Sequence, residues 1–302
     1  MNHSFRPSSL HAGSVALVIE GGGMRCAHTA ALIDKLVGEH VSFGWVGGIS
    51  AGAAQAVNFL TGDRERIRSC FLDFASDRKG AGWWPFLQGR GYFDAEYIYE
   101  TAPLSGNYSY DFDAFFTNPT PVKIGATRAD TAQPVWWGRE EITSARDLTT
   151  RVRASSTMPG LMPETVIDGL AYFDGALGPD AGIAVDAARA DGFTRFLVVC
   201  SQPRDYIKSP LKNSWMIKQV LRNYPLAAEA FIDWPKRYNR VRRSLIPLER
   251  TGHAYVYYPD EMPITNTELN LTKLKHSFDS GVEQSDREWP LIRDFLEKNA
   301  TV

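Results

Sequence analysis

A chain of 302 residues with 44% apolar composition is long enough to bury a sizeable core, as one large α/β domain or one domain with a substantial insertion. A net charge of −2 offers no global attraction for nucleic acid, and runs such as Phe196 to Cys200 fall far short of the ~20 apolar residues a membrane span needs. Cys26, Cys70 and Cys200 cannot all pair, and Met1 to Ser14 is polar without a signal-peptide core. The expectation is therefore free thiols, a disordered tail over 1–14, and a soluble cytoplasmic protein that touches membranes at most from the side.

Val15 to Ile19 is an uninterrupted apolar run of the kind found in parallel strands buried on both faces. Glu20-Gly21-Gly22-Gly23-Met24-Arg25 follows at once, and an amphipathic helix then runs through Ala30, Ile33 and Val37. Glycines between a strand and a helix expose backbone N–H groups beside a helix N-terminus, which makes an anion site. A P-loop would end in Gly-Lys-Ser/Thr, which is absent, and Cys26 breaks the dinucleotide fingerprint. An oxyanion hole is the better use, because a serine turn lies one crossover downstream.

That turn is Gly48-Ile49-Ser50-Ala51-Gly52, between the apolar run Val41 to Ile49 and the helix-forming run Ala53 to Leu60. The bare Gly-x-Ser-x-Gly pattern is weak in a chain with 25 glycines. Its context of strand, sharp turn and helix is that of a nucleophile elbow, with Gly48 and Gly52 letting neighbouring backbone pass close.

Further along, 62–77 is predicted to be a helix with Ile67, Phe71 and Phe74 on one face. Residues 79–91 read as a loop, and its Trp83, Trp84, Phe86 and Leu87 line an acyl pocket, touch lipid or, more commonly for clustered aromatics, plug the core. Asp94 is a plausible N-cap for a short helix to Thr101. Pro121 to Thr127 and Pro134 to Gly138 read as a hairpin, and Leu148 to Ser156 as a helix. Glu164 to Phe173 alternates and ends in Asp174-Gly175-Ala176, where the aspartate is either a turn former or a placed base. Val185 to Ala190 as helix and Thr194 to Cys200 as strand restore a β–α–β rhythm.

Residues 204–250 hold eleven Lys or Arg against four acids, a net charge of +7 that leaves −9 for the rest. Trp215, Met216, Ile217, Val220, Leu221 and Phe231 interleave with these bases at helical spacing. Such a segment either lies on an anionic membrane or forms a solvated helical face. Tyr255 to Tyr258 is predicted to be a late strand, and Leu271 to Leu296 a charged helix.

Three motifs in this order resemble the patatin-like phospholipase family, which carries Asp-Gly-Gly-Gly-x-Arg-Gly, Gly-x-Ser-x-Gly and Asp-Gly-Gly/Ala. Here they stand as Glu20 to Cys26, Gly48 to Gly52 and Asp174-Gly175-Ala176, and Ala154 to Pro159 is similar to the family's Ala-Ser-rich segment. The likeness runs from about Val15 to Cys200; 201–302 is similar only in layout and is expected to complete the same domain. Glu20 replaces an aspartate, and Cys26 a glycine beside the oxyanion loop.

The resemblance implies a three-layer α/β/α fold with a mainly parallel central sheet and extra C-terminal helices. It implies Ser50 as nucleophile and Asp174 as general base, without a histidine. Gly21, Gly22 and Gly23, with Arg25 beside them, would hold the oxyanion. The reaction implied is acyl transfer through an acyl-Ser50 intermediate to water, on a lipid ester, with no metal or cofactor. Arg25 has two uses open to it, a lipid phosphate or a pair with Glu20.

Two rivals stand beside this reading. One is an α/β-hydrolase triad of Ser50, Asp174 and His253, although the elbow follows only one clear strand. The other is a lipid-binding protein of the same fold with a dead site. His28, close to the glycine loop, reads as a packing or surface residue.

Overall fold

The computed structural model describes residues 10–76, 79–81, 88–105 and 108–300. Strand β1 (Leu10–Ile19) lies between two parallel neighbours, β2 (Val41–Ile49) and β7 (Arg195–Val199). Its apolar run is wholly buried because both faces of the sheet are covered. Val15, Leu17 and Ile19 pack on one side with residues of helices α1 (Cys26–Gly38), α2 (Ala51–Thr61) and α10 (Leu271–Lys298). Ala16 and Val18 point the other way, as strand alternation requires, onto α7 (Val185–Ala190) and α9 (Pro225–Arg250). Helices therefore sandwich the sheet, the arrangement in which strands can be continuously apolar.

The sheet order is β5-β6-β3-β2-β1-β7-β8, with β4 paired to β3. Strands β3 (Val122–Arg128) and β8 (Ala254–Tyr257) continue the parallel set outward from β2 and β7. Antiparallel pairing is confined to β4 (Pro134–Trp137), β5 (Thr165–Ile167) and β6 (Leu170–Asp174). Gly48, Ile19, Val199 and Tyr257 stand level, so the parallel strands end together. The glycine loop and the serine turn leave the sheet side by side at that edge, where open α/β sheets bind ligands.

Several boundaries differ from the sequence reading. β1 begins at Leu10, so 10–14 is strand and not tail: Leu10 pairs with Val41, Ala12 is buried, and the His11 ring bonds the Ser42 hydroxyl at 2.6 Å. The alternating run 164–173 is a hairpin, folded where Asp168 (φ 52°) and Gly169 (φ 76°) take left-handed conformations. Helix α6 (Ala145–Ser156) starts ahead of Leu148 because Ser144 caps it, accepting the Asp147 N–H at 3.1 Å. Asp94 accepts the Tyr97 N–H at 3.0 Å, the cap expected of it. Helix α3 (Arg64–Ser76) buries Ile67 and Phe71, while Trp83, Trp84, Phe86 and Leu87 lie outside the described residues.

The basic segment divides in two. In α9, Arg237 donates to the carbonyls of Leu177 and Ala230, and buried Arg242 to that of Gln202, so these charges bind backbone instead of facing water. Short helix α8 (Ser214–Val220) does the opposite and leaves Trp215, Met216 and Val220 exposed.

Candidate active site

Ser50 joins β2 to α2 with φ 59° and ψ −132°, a conformation costing about 1–3 kcal/mol for a residue with a Cβ. Its surroundings leave no alternative. A Cβ on Gly52 would stand 2.3 Å from the Ile19 carbonyl, and one on Gly48 2.3 Å from that of Gly52. Helix α2 therefore starts directly against the end of β1. The Ser50 N–H donates to Ser155 Oγ at 2.8 Å, and that hydroxyl donates to the Gly125 carbonyl at 2.6 Å. With its amide held, Ser50 has its hydroxyl left to face the cavity it lines.

Asp174 ends β6 and is buried. Its N–H donates to the Thr157 carbonyl at 2.8 Å, and its Oδ1 accepts the Ala176 N–H at 2.8 Å. Gly175 permits this turn, since a Cβ there would lie 2.4 Å from the Gly125 carbonyl. Burial pushes the carboxyl up to about 6, although the neighbouring Ser50 hydroxyl and the Ala176 N–H both favour its charged form. The serine and the aspartate thus meet on one cavity, brought from β2 and β6 by the strand β3 between them.

The glycine loop lies beside them. Gly23 is left-handed (φ 56°), and Gly21 passes so near the elbow that a Cβ would stand 2.8 Å from the Ile49 carbonyl. The loop supplies fewer free amides than its three glycines promise. The Gly21 N–H is taken by the Gly182 carbonyl at 3.1 Å, and the Arg25 N–H by that of Gly22 at 3.3 Å. Gly21 is there for close packing and is not a free donor. Gly22 and Gly23 keep amides with no acceptor among the described residues.

Both substitutions relative to the family motif are accommodated. The Glu20 carboxylate accepts the Ser201 N–H at 2.8 Å and the Tyr238 hydroxyl at 2.7 Å. It therefore ties the loop to β7 and α9, and Arg25 does not pair with it. The Cys26 thiol lies beneath the loop, donating to the Glu20 carbonyl at 3.7 Å, and burial pushes it up to about 12. It is protonated and outside the cavity lining. Cys26 and Cys200 are both buried free thiols.

His253 is not part of this constellation. It precedes β8 at the opposite edge of the sheet, four residues before Tyr257 and so roughly 13 Å down the strand. Its Nδ1 pairs with Thr251 Oγ1 at 2.8 Å. The triad reading fails on this geometry, because a base at the N-terminal end of a parallel strand cannot reach a nucleophile at the C-terminal end. His28 is a core residue: it is buried, its Nε2 meets Gln284 Oε1 at 3.0 Å, and burial lowers its proton affinity.

The cavity holds about 150 Å³. Ala54, Phe71, Phe93, Tyr99, Met158 and Leu161 give it apolar lining, and Arg25, Lys208, Trp234 and Tyr238 line it as well. Sequence reading missed Lys208, Trp234, Tyr238 and Asn266, which are scattered through the last third without a motif. Ser155 carried a signal, as it lies in the Ala-Ser-rich segment.

A family model described as Patatin-like phospholipase matches residues 17–185, more than half of the chain. A second, described as a domain of unknown function (DUF6363), matches residues 224–297. Over 210 residues the chain is 26% identical to Uncharacterized protein YjjU of Escherichia coli (strain K12), a match covering 68% of this chain and 57% of that protein. The fold is similar to that of VipD from Legionella pneumophila, with a TM-score of 0.51 and 12% identity over 94% of this chain and 67% of VipD. With its glycine loop, elbow and Asp174 turn all inside the matched region, the chain belongs to the patatin-like phospholipase family.

Proposed function

We propose that the protein hydrolyses carboxylic esters of lipids through a Ser50–Asp174 dyad. One observation carries the reading: a strained serine, a buried carboxylate with raised proton affinity, and two glycine amides without an acceptor among the described residues line one largely apolar cavity. Asp174 takes the Ser50 proton as the hydroxyl oxygen attacks the ester carbonyl. The Gly22 and Gly23 N–H groups receive the negative charge that forms on the carbonyl oxygen; each such donor is worth about 3 kcal/mol in the transition state. Collapse expels the alcohol, which takes the proton from Asp174, and leaves acyl-Ser50. Water then attacks the acyl carbon with Asp174 as base, and Ser50 is released. A carboxylate serves as base here because burial has brought its pKa close to neutral.

The test is a graded acyl-ester series together with a fluorophosphonate probe. Wild type is expected to hydrolyse the esters and label at Ser50, and Ser50→Ala to do neither. An unlabelled wild-type serine under every lipid condition would favour the lipid-binding reading instead.

A peripheral membrane contact fits the same activity. Exposed Trp215, Met216, Val220 and Leu226 lie among exposed Lys212, Lys218 and Arg222, which is the chemistry of an anionic lipid surface. No helix of the described residues is long and apolar enough to cross a membrane. Vesicle flotation checks this: wild type should bind anionic but not neutral vesicles, and Trp215→Ala should bind several-fold more weakly. Equal binding by both proteins excludes this patch.

A further inference from the structure

The region matching a domain of unknown function reaches the reaction cavity. From it, the Asn266 carbonyl accepts the Met24 N–H at 3.0 Å and would stand 2.4 Å from a Cβ on Gly23, so it fixes the loop that carries the free amides. Trp234 and Tyr238, on α9, line the cavity together with Lys208 from the loop between β7 and α8.

Lys208 is held in an unusual way. Its Nζ lies 4.0 Å from the Trp234 ring centre, 4.8 Å from that of Tyr238 and 5.8 Å from that of Tyr206. These rings stabilise an ammonium but cannot neutralise it. No carboxylate among the described residues pairs with it; Glu20 attracts it from longer range, with both oxygens already engaged. Burial, and then the charge of Arg25, pull Lys208 down to about 8. Arg25 lines the same cavity, and its Nε is buried without a hydrogen-bond partner among the described residues.

A third cation on the cavity shows the contrast. Arg66 stacks 3.7 Å from the Tyr110 ring centre and donates to Asn58 Oδ1 at 3.0 Å, so it is satisfied within the protein. Two neighbouring, partly desolvated cations with no carboxylate paired to them among the described residues are costly to hold. They are built for an anion that arrives with the ligand, and a guanidinium fork beside an ammonium suits a phosphate.

We propose that Lys208, in its three-ring cage, and Arg25 bind a phosphate on the alcohol side of the ester, so that the C-terminal region sets selectivity for phosphorylated over neutral lipid esters. This rests on the hydrolase reading above. The test compares kcat/KM for a monoacylglycerol phosphate and for the monoacylglycerol with the same acyl chain. In wild type the phosphorylated ester is expected to be preferred. In Lys208→Met the ratio of the two kcat/KM values should fall at least tenfold, mainly through KM, and Lys208→Arg should restore most of it. An unchanged ratio, or an equal fall on both esters, overturns the proposal.

Calorimetry with glycerol phosphate and with inorganic phosphate on Ser50→Ala protein tests the subsite apart from catalysis. Binding that is lost in the Ser50→Ala/Lys208→Met double variant supports it, and binding of equal strength in both, or none in either, overturns it. Preference for glycerol phosphate over inorganic phosphate identifies a headgroup as the source. If wild type cleaves neither ester while this binding persists, the hydrolase reading fails and the anion site stands.

Discussion

The turns β1–α1 and β2–α2 are one device used twice. Each takes the chain from the C-terminal end of a parallel strand into a helix on the same face of the sheet, and the two lie side by side. They differ in what they leave unused. At the first, the Gly21 and Arg25 amides are spent on neighbouring carbonyls, and those of Gly22 and Gly23 meet no acceptor among the described residues. At the second, the Ser50 amide is spent on Ser155 and the hydroxyl remains. Identical topology thus provides a charge-accepting cradle in one place and a nucleophile in the other. The difference lies in which polar group the surrounding backbone leaves unspent: amides at the first turn, and at the second a hydroxyl that faces the Asp174 carboxyl.

Removing the nucleophile breaks the comparison most completely. Ser50→Ala should lower kcat/KM for a soluble ester by about 10⁴-fold or more, leaving the cradle intact. Asp174→Asn should follow at roughly 10³-fold, with His253→Ala within twofold of wild type in the same assay. The proton balance gives a related check. Because the folded carboxyl sits at about 6, the protonated acid accumulates below that pH and cannot take the Ser50 proton. A pH–rate profile should therefore be flat above about 6 and fall about tenfold per pH unit below it.

Stability runs the other way. The folded pKa lies above the unfolded one, so the contribution of Asp174 is most favourable below about 4 and is lost as pH rises through about 6. The cost is about 3 kcal/mol at neutral pH, and Asp174→Asn should raise the melting temperature at pH 8 more than at pH 4.

Smaller changes sharpen the contrast between the two turns. A Cβ on Gly22 would stand 2.7 Å from Ser201 Oγ, so Gly22→Ala should tilt one oxyanion donor and lower kcat about 100-fold with KM little changed. Ser155→Ala withdraws the acceptor of the Ser50 N–H without touching the hydroxyl, and should lower kcat about tenfold. Steady-state kinetics on one ester measures both. If Ser155→Ala proved the more damaging, the elbow would depend more on its support than the cradle does on its donors.

The parallel strands around Val15 to Ile19, Val41 to Ile49 and Arg195 to Val199 were legible in the sequence, because strands buried on both faces must be continuously apolar. So were the turns at Gly21 to Gly23, Ser50 and Asp174, since close backbone approach admits few residue types. The hairpin at Asp168-Gly169 carried a readable turn signal, but the surrounding alternation suits one strand as well as two.

Local sequence thus determined which residues could form strands, an elbow and a glycine loop, for those depend on each residue's own sterics and polarity. Tertiary structure alone decided that the Gly21 amide is spent, that His253 lies at the wrong end of its strand, and that Lys208 reaches the cavity inside a ring cage. Each of these turns on a partner far away along the chain, and a hydrogen bond, a strand register or an aromatic cage leaves no mark on the residues between its two ends.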